Sequence, residues 1–188
     1  MKTAIIIHGM PSKEGYFNPE SKAQSNKHWL PWIQHQLILS GILAQTPEMP
    51  EPFEPDYEKW RSVFEQFKID EETMLIGHSC GAGFLVRWLS ENKVKVGRVA
   101  LVAPWLNPDH EYETKMFDFE IDPSLVERTD GVTVFISSDD MQSILDSTDI
   151  IKNAVKNVIT KEFSNHGHFC FNDMKTDAFP ELRDTLIQ

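Results

Sequence analysis

Short apolar runs alternate with amphipathic ones along the whole chain. The runs "TAIIIH" (3–8), "ILAQT" (42–46), "TMLIGH" (73–78), "RVALVA" (98–103), "VTVFIS" (132–137) and "NVITKEF" (157–163) predict strands. Several are near-continuously hydrophobic, as parallel strands covered on both faces must be. Between them the spacing turns helical: Trp29, Ile33 and Leu37 recur every fourth residue, and Gly41 marks a stop. Residues 56–67, 80–91, 123–129, 143–156 and 176–187 are the other predicted helices. Strand and helix alternating in this way predict a three-layer α/β sandwich, with a six-stranded, mainly parallel sheet, right-handed crossovers and helices on both faces. No internal repeat and no compositional break divides the pattern, so residues 1–188 read as one domain.

Two segments break the rhythm. "TPEMPEPFEPD" (46–56) carries Pro47, Pro50, Pro52 and Pro55 and reads as a stiff, extended connection. "PWLNPDHEYETKMFDFEIDP" (104–123) has no clear period and mixes aromatics with carboxylates. It follows a predicted strand and therefore opens at the carboxyl edge of the sheet, where α/β proteins bind ligands. It reads either as a solvated loop or as a small lid. As a lid, its negative charge would favour neutral or cationic substrates over anionic ones.

Composition narrows the function classes. A net charge of -11 argues against a nucleic-acid partner, because phosphate binding needs a basic footprint. No apolar stretch approaches the length of a membrane span, and the apolar run of "MKTAIIIHGM" is too short for a secretory signal. Cys80 and Cys170 do not make a disulfide framework, so the expected setting is cytoplasmic. Nothing in the pattern sets the oligomeric state.

The chemistry gathers at "GHSCG" (77–81), a G-x-S-x-G sequence between a predicted strand and a predicted helix. A sharp turn there would hold Ser79 in a strained conformation, with Gly77 and Gly81 removing side chains that would collide across it. A polar turn without chemistry is the competing reading. A serine nucleophile needs a base and an orienting acid, which in such a sheet follow in the order acid, then histidine. "VTVFISSDD" supplies Asp139 and Asp140 at one strand end, and "KEFSNHGHF" supplies His166 and His168 after the last strand. An oxyanion hole would draw on the Cys80 N–H and on the Met10 N–H after the first strand. His8 reads as a strand-end residue that shapes this turn.

These motifs together resemble the α/β-hydrolase superfamily. More narrowly, the chain is similar to the small serine hydrolases typified by retinoblastoma-binding protein nine and the bacterial YdeN proteins. The Ile-Ile-His-Gly start, "PEMPEP", "IGHSCGA", "FISSDD" and "NHGHF" carry the likeness over nearly the whole length. The resemblance implies a compact hydrolase core without a large cap, the acid on Asp140 and the base on His168. Where such proteins continue with a proline-containing run after the aspartates, this chain reads "DDMQSILDS", which keeps Asp139 open as the acid. A Leu-x-Cys-x-Glu motif is absent, so no retinoblastoma partner is expected.

Three other readings compete. His166 and His168 with the aspartates would suit a metal, but that leaves the glycine-flanked serine unexplained, so neither metal nor cofactor is expected. Cys80 as nucleophile would point away from the turn, and a catalytically silent binding module would keep the fold without the chemistry. The expected partner is a small acyl substrate, an ester, thioester or amide. Tyr16, Trp105 and Phe169 are the candidate substrate contacts.

Overall fold

A computed structural model of the protein describes residues 1–187. All six predicted strands form: β1 (Thr3–Ile7), β2 (Leu43–Gln45), β3 (Thr73–His78), β4 (Val99–Val102), β5 (Val132–Ser137) and β6 (Ile159–Phe163). They make one sheet in the order β2-β1-β3-β4-β5-β6, and every neighbouring pair is parallel. Every residue of β3, β4 and β5 is buried, which is why their sequences show no alternation. β6 lies at the edge with no fully buried residue: Ile159 and Glu162 are exposed, and Thr160, Lys161 and Phe163 are half-buried.

The helices are α1 (Lys13–Phe17), α2 (Leu30–Leu39), α3 (Tyr57–Phe64), α4 (Cys80–Glu91), α5 (Gln142–Ala154), α6 (Phe171–Met174) and α7 (Pro180–Ile187). Strand order assigns their layers. The chain steps one way from β1 to β2 and the other way at every later crossing. With right-handed crossovers, α2 therefore covers one face, and α3, α4 and α5 cover the other. α7 returns to pack on α2.

Three sequence expectations are corrected. The helix predicted over 123–129 is a 3-10 turn, Leu125–Arg128. The helix predicted over 176–187 starts only at Pro180, as α7, and a separate short helix, α6, precedes it and ends at Lys175 in the left-handed region at φ 58. A proline lacks the N–H that a helix interior requires, so it stands in the first turn. α1 and a 3-10 turn at Gln24–Asn26 fill a stretch that carried no periodic signal.

Each face has an aromatic nucleus. Under α3 and α4, the Phe84 ring lies 5.7 Å from Tyr57, 5.8 Å from Trp60 and 5.3 Å from Phe64. Under α7, Phe179 meets Trp29, Phe135, Phe163 and Phe169. Edge-on and offset contacts of this kind add to the burial energy of the rings. Phe84→Ala is expected to lower unfolding free energy by about 3–5 kcal/mol, measured by urea denaturation, because three rings lose their common partner.

Candidate active site

β3 and α4 meet at Ser79, whose φ of 53 and ψ of -120 lie outside the region natural to a side-chain-bearing residue. Its N–H donates to the Val102 carbonyl at 2.9 Å, and its own carbonyl accepts from Ala82, Gly83 and Trp105. The flanking glycines are required by contact. A Cβ on Gly77 would stand 2.5 Å from Ala82 Cα, and one on Gly81 would stand 2.4 Å from the His8 carbonyl oxygen. The strand end therefore presses against the first turn of α4, and Ser79 is carried above the sheet at the helix N-terminus.

His168 stands against this serine. Its Nε2 is 2.9 Å from Ser79 Oγ, and its Nδ1 is 3.0 Å from both carboxylate oxygens of Asp140. The Nδ1–H donates to the carboxylate, which leaves the Nε2 lone pair to accept from the hydroxyl. The Asp140 side chain is fully shielded from solvent, and its Oδ1 also accepts from the Met141 N–H at 2.7 Å. Asp139 is turned elsewhere: its Oδ1 accepts from the Ser137 hydroxyl and from the Gly167 N–H at 3.2 Å. Of the two aspartates the sequence left open, Asp140 is the one that touches the histidine.

The loop carrying His168 is tied down on every side. Ser137 Oγ accepts from the His166 N–H at 3.1 Å, and Asp173 Oδ2 accepts from the N–H groups of His168 and Cys170. Gly167 at φ 45 and Phe169 at φ 55 make the bend possible. From below, His78 Nε2 donates to the His168 carbonyl at 2.9 Å. Burial, and then the nearby His168 and His28 rings, hold His78 well below the ordinary histidine range, so it is a neutral donor. His166 takes no part in the contact with Ser79; its ring packs 4.3 Å from Phe163.

A cavity of about 60 Å³ opens at Ser79, lined by His8, Gly9, Met10, Gln24, His28, Leu30, His78, His168 and Cys170. Met10 lines it, and the Met10 and Cys80 N–H groups have no hydrogen-bond partner among the described residues. His8 is tied into the frame: Nδ1–H donates to the Gly9 carbonyl and Nε2 accepts from Met49 N–H, both at 2.8 Å. Burial lowers its pKa, in keeping with this neutral tautomer. Sequence reasoning missed Gln24, His28 and Glu48. Glu48, from the proline-rich segment, accepts from the Gln24 and Ser25 N–H groups and so fixes the turn that brings Gln24 to the cavity. The Gln24 side-chain nitrogen is buried with no partner among the described residues, a donor waiting for an acceptor.

The aromatic candidates are corrected. Phe169 is 0% exposed and packs among Phe163, His166 and Phe179, so it belongs to the core. Trp105 is 7% exposed and closed between Tyr112 and Phe117. Tyr16 packs on Phe17 and Phe53 and does not line the cavity. The 104–123 segment is ordered against α4, where Arg87 donates to the Lys115 and Met116 carbonyls. None of its residues lines the cavity at Ser79; Glu111 and Glu113 instead face Glu51, Glu54 and Asp56 across a separate groove. Cys80 is fully buried and burial pushes its thiol up, while Cys170 is pushed up to about 12, so neither offers a thiolate.

A parallel six-stranded sheet with a serine on a glycine-flanked turn at its centre, facing a histidine and a buried carboxylate, defines an α/β-hydrolase. Residues 16–185 match the model of the family described as serine hydrolase, and the chain belongs to that family. YdeN of Bacillus subtilis strain 168 is 28% identical over 149 residues, covering 74% of this chain and 71% of its own. The crystal structure of the B. subtilis ydeN gene product is similar with a TM-score of 0.80 at 24% identity, over 99% of this chain and 97% of that one. Est1E of Butyrivibrio proteoclasticus, solved with ferulic acid bound, shares the fold with a TM-score of 0.68 at 12% identity, over 100% and 87% of the two chains. No helix among the described residues is long and apolar enough to cross a membrane.

The buried imidazoles set a pH dependence of stability. His8, His28 and His78 all have lowered pKa values, burial being the first cause in each. Below about pH 6.5 the unfolded chain takes up protons that the folded chain refuses, so stability falls as pH falls from there toward the folded values. Each such group contributes a slope of up to about 1.4 kcal/mol per pH unit in that window. Urea unfolding between pH 7.5 and 5 is expected to show this loss, with a shallower slope in His78→Gln, whose amide still donates to the His168 carbonyl.

Proposed function

We propose that the protein hydrolyses an ester, thioester or amide of a small acyl substrate through Ser79, His168 and Asp140. The observation that carries this reading is the unbroken relay from the Ser79 hydroxyl through His168 to a carboxylate shielded from solvent. Ser79 Oγ attacks the substrate carbonyl carbon while its proton passes to His168 Nε2, and Asp140 holds the imidazolium that results. The carbonyl oxygen becomes an oxyanion, to which the Met10 and Cys80 N–H groups donate. His168 then protonates the leaving alcohol, thiol or amine, and an acyl-Ser79 ester remains. Water attacks that ester as His168 removes its proton, and collapse of the second tetrahedral intermediate returns the acid product and free Ser79.

A fluorophosphonate probe should label Ser79 in the wild-type protein and leave Ser79→Ala unlabelled. On chromogenic acyl esters, Ser79→Ala should lower turnover by about a million-fold if the three residues act as a unit. Esterase activity surviving in Ser79→Ala, or a folded wild-type protein inert to the probe, would favour a binding module of the same fold.

The two aspartates separate in the same assay. Asp140→Asn should cost roughly four orders of magnitude in turnover, because the amide favours the wrong imidazole tautomer. Asp139→Asn should be mild, since a single oxygen of Asp139 accepts both of its bonds and an asparagine oxygen keeps them. Asp139→Ala should be worse than Asp139→Asn, as the His166–Gly167 bend loses its anchor.

A further inference from the structure

The cavity at Ser79 has a volume of about 60 Å³, well below the roughly 300–1,000 Å³ of small-molecule sites. It is too small for a whole substrate. Most of any substrate must lie outside it, in a space continuous with it. One groove adjoins the cavity, with a volume of about 610 Å³, within the range of small-molecule sites. It shares His28 with the cavity.

We propose that this groove receives the part of the substrate remote from the scissile carbonyl, and that this part is a small aromatic or aliphatic body bearing a carboxylate. The inference rests on the serine-hydrolase reading of Ser79 and adds the substrate class. Its walls supply both halves of the recognition. Pro31 and Trp32, from the first turn of α2, and Phe171, itself half exposed, form the apolar surface. Lys22 and Lys27 supply the charge.

The chain carries a net charge of -11, so a groove with two lysines in its lining runs against the overall balance. Lys22 and Lys27 have neither an ion-pair nor a hydrogen-bond partner among the described residues, though both line the groove. Asp177 is the one carboxylate in the lining. An anionic ligand would therefore meet unpaired ammonium groups beside apolar surface, where their field is less screened than in open water.

His28 lines both the groove and the cavity. Its Nδ1 accepts from the Phe171 N–H at 3.1 Å, so its proton is on Nε2. That N–H has no partner among the described residues and is free to donate to a substrate crossing from one space to the other. Burial, then the charge of Lys27, keeps the ring neutral and the tautomer defined. The proposal runs opposite to the expectation drawn from the acidic 104–123 segment: none of that segment's residues lines the cavity at Ser79, and Glu111 and Glu113 line another groove.

The test compares matched esters. p-Nitrophenyl pentanoate and p-nitrophenyl hydrogen glutarate differ in a terminal carboxylate on the acyl side; methyl 3-acetoxybenzoate and 3-acetoxybenzoate differ on the leaving-group side. In at least one pair the anionic member should have a kcat/KM higher by about tenfold or more at low salt, falling as salt rises. Lys22→Gln/Lys27→Gln should bring that ratio to about one through a fall in kcat/KM for the anionic ester. Equal or lower kcat/KM for both anionic esters, or a ratio unmoved by the double variant, would overturn the proposal. Calorimetric titration with 3-phenylpropionate against 3-phenylpropanamide reads the groove without turnover. Tighter binding of the carboxylate, lost in the double variant, supports it, and equal binding overturns it. Failure of the catalytic reading shows separately, as absence of fluorophosphonate labelling at Ser79.

Discussion

Ser79 occupies a backbone conformation that costs on the order of 1–3 kcal/mol for a residue with a side chain, and the surrounding structure is organised to hold it there. Its N–H is fixed by β4 and its carbonyl by three N–H donors, two from α4 and one from Trp105. The two glycines let β3 and α4 close to distances that any Cβ would forbid. Because β3 lies between β1 and β4 with every residue buried, the strain is carried by the most over-determined part of the sheet. A turn of the same sequence at an edge strand would relax to an ordinary conformation, and the hydroxyl would fall away from its position above α4.

The second constraint is the bend from 164 to 170, which must deliver an imidazole to a serine nearly ninety residues earlier in the chain. Its backbone donors are taken up by Ser137, Asp139 and Asp173, and its carbonyl at His168 by His78. Two of those anchors, Ser137 and Asp139, stand at the end of β5, beside the carboxylate that touches the ring. The end of β5 thus positions the histidine twice, once through its backbone and once through Asp140. His78, the residue before Ser79, closes the loop from the side of the elbow. Elbow and histidine bend are therefore one connected frame.

Much of this was legible in the sequence. Buried parallel strands show as unbroken apolar runs, and α4 was bounded by the same glycines that the turn requires. The choice of Asp140 over Asp139 came from the family resemblance and not from the residues themselves, because both carboxylates follow one strand and only the direction of the turn after β5 separates them. Aromatic residues misled for a similar reason: Phe169 beside His168 reads equally as pocket wall or core, and the packing of α7 decides for core. Gln24, His28 and Glu48 lie in a stretch without periodicity, and their placement depends on contacts between segments distant in sequence. The start of α7 at Pro180, inside the helix predicted over 176–187, was by contrast written in the sequence, since a proline in mid-helix costs about 3 kcal/mol or more.

The neutrality of His78 ties these parts to the chemistry. Its ring centroid is 5.1 Å from that of His168, where the proposed relay generates a positive charge. A second positive charge at that distance would oppose the imidazolium by on the order of 3 kcal/mol at an effective dielectric near 20, enough to cancel much of what Asp140 supplies. Full burial beneath Trp29 and His28 prevents that, since a charged ring there would lose its solvation without a carboxylate to compensate. The same burial leaves Nε2–H as a donor whose geometrically available acceptor is the His168 carbonyl. One neutral imidazole thus fixes the backbone of the histidine that must become charged while adding nothing to oppose that charge.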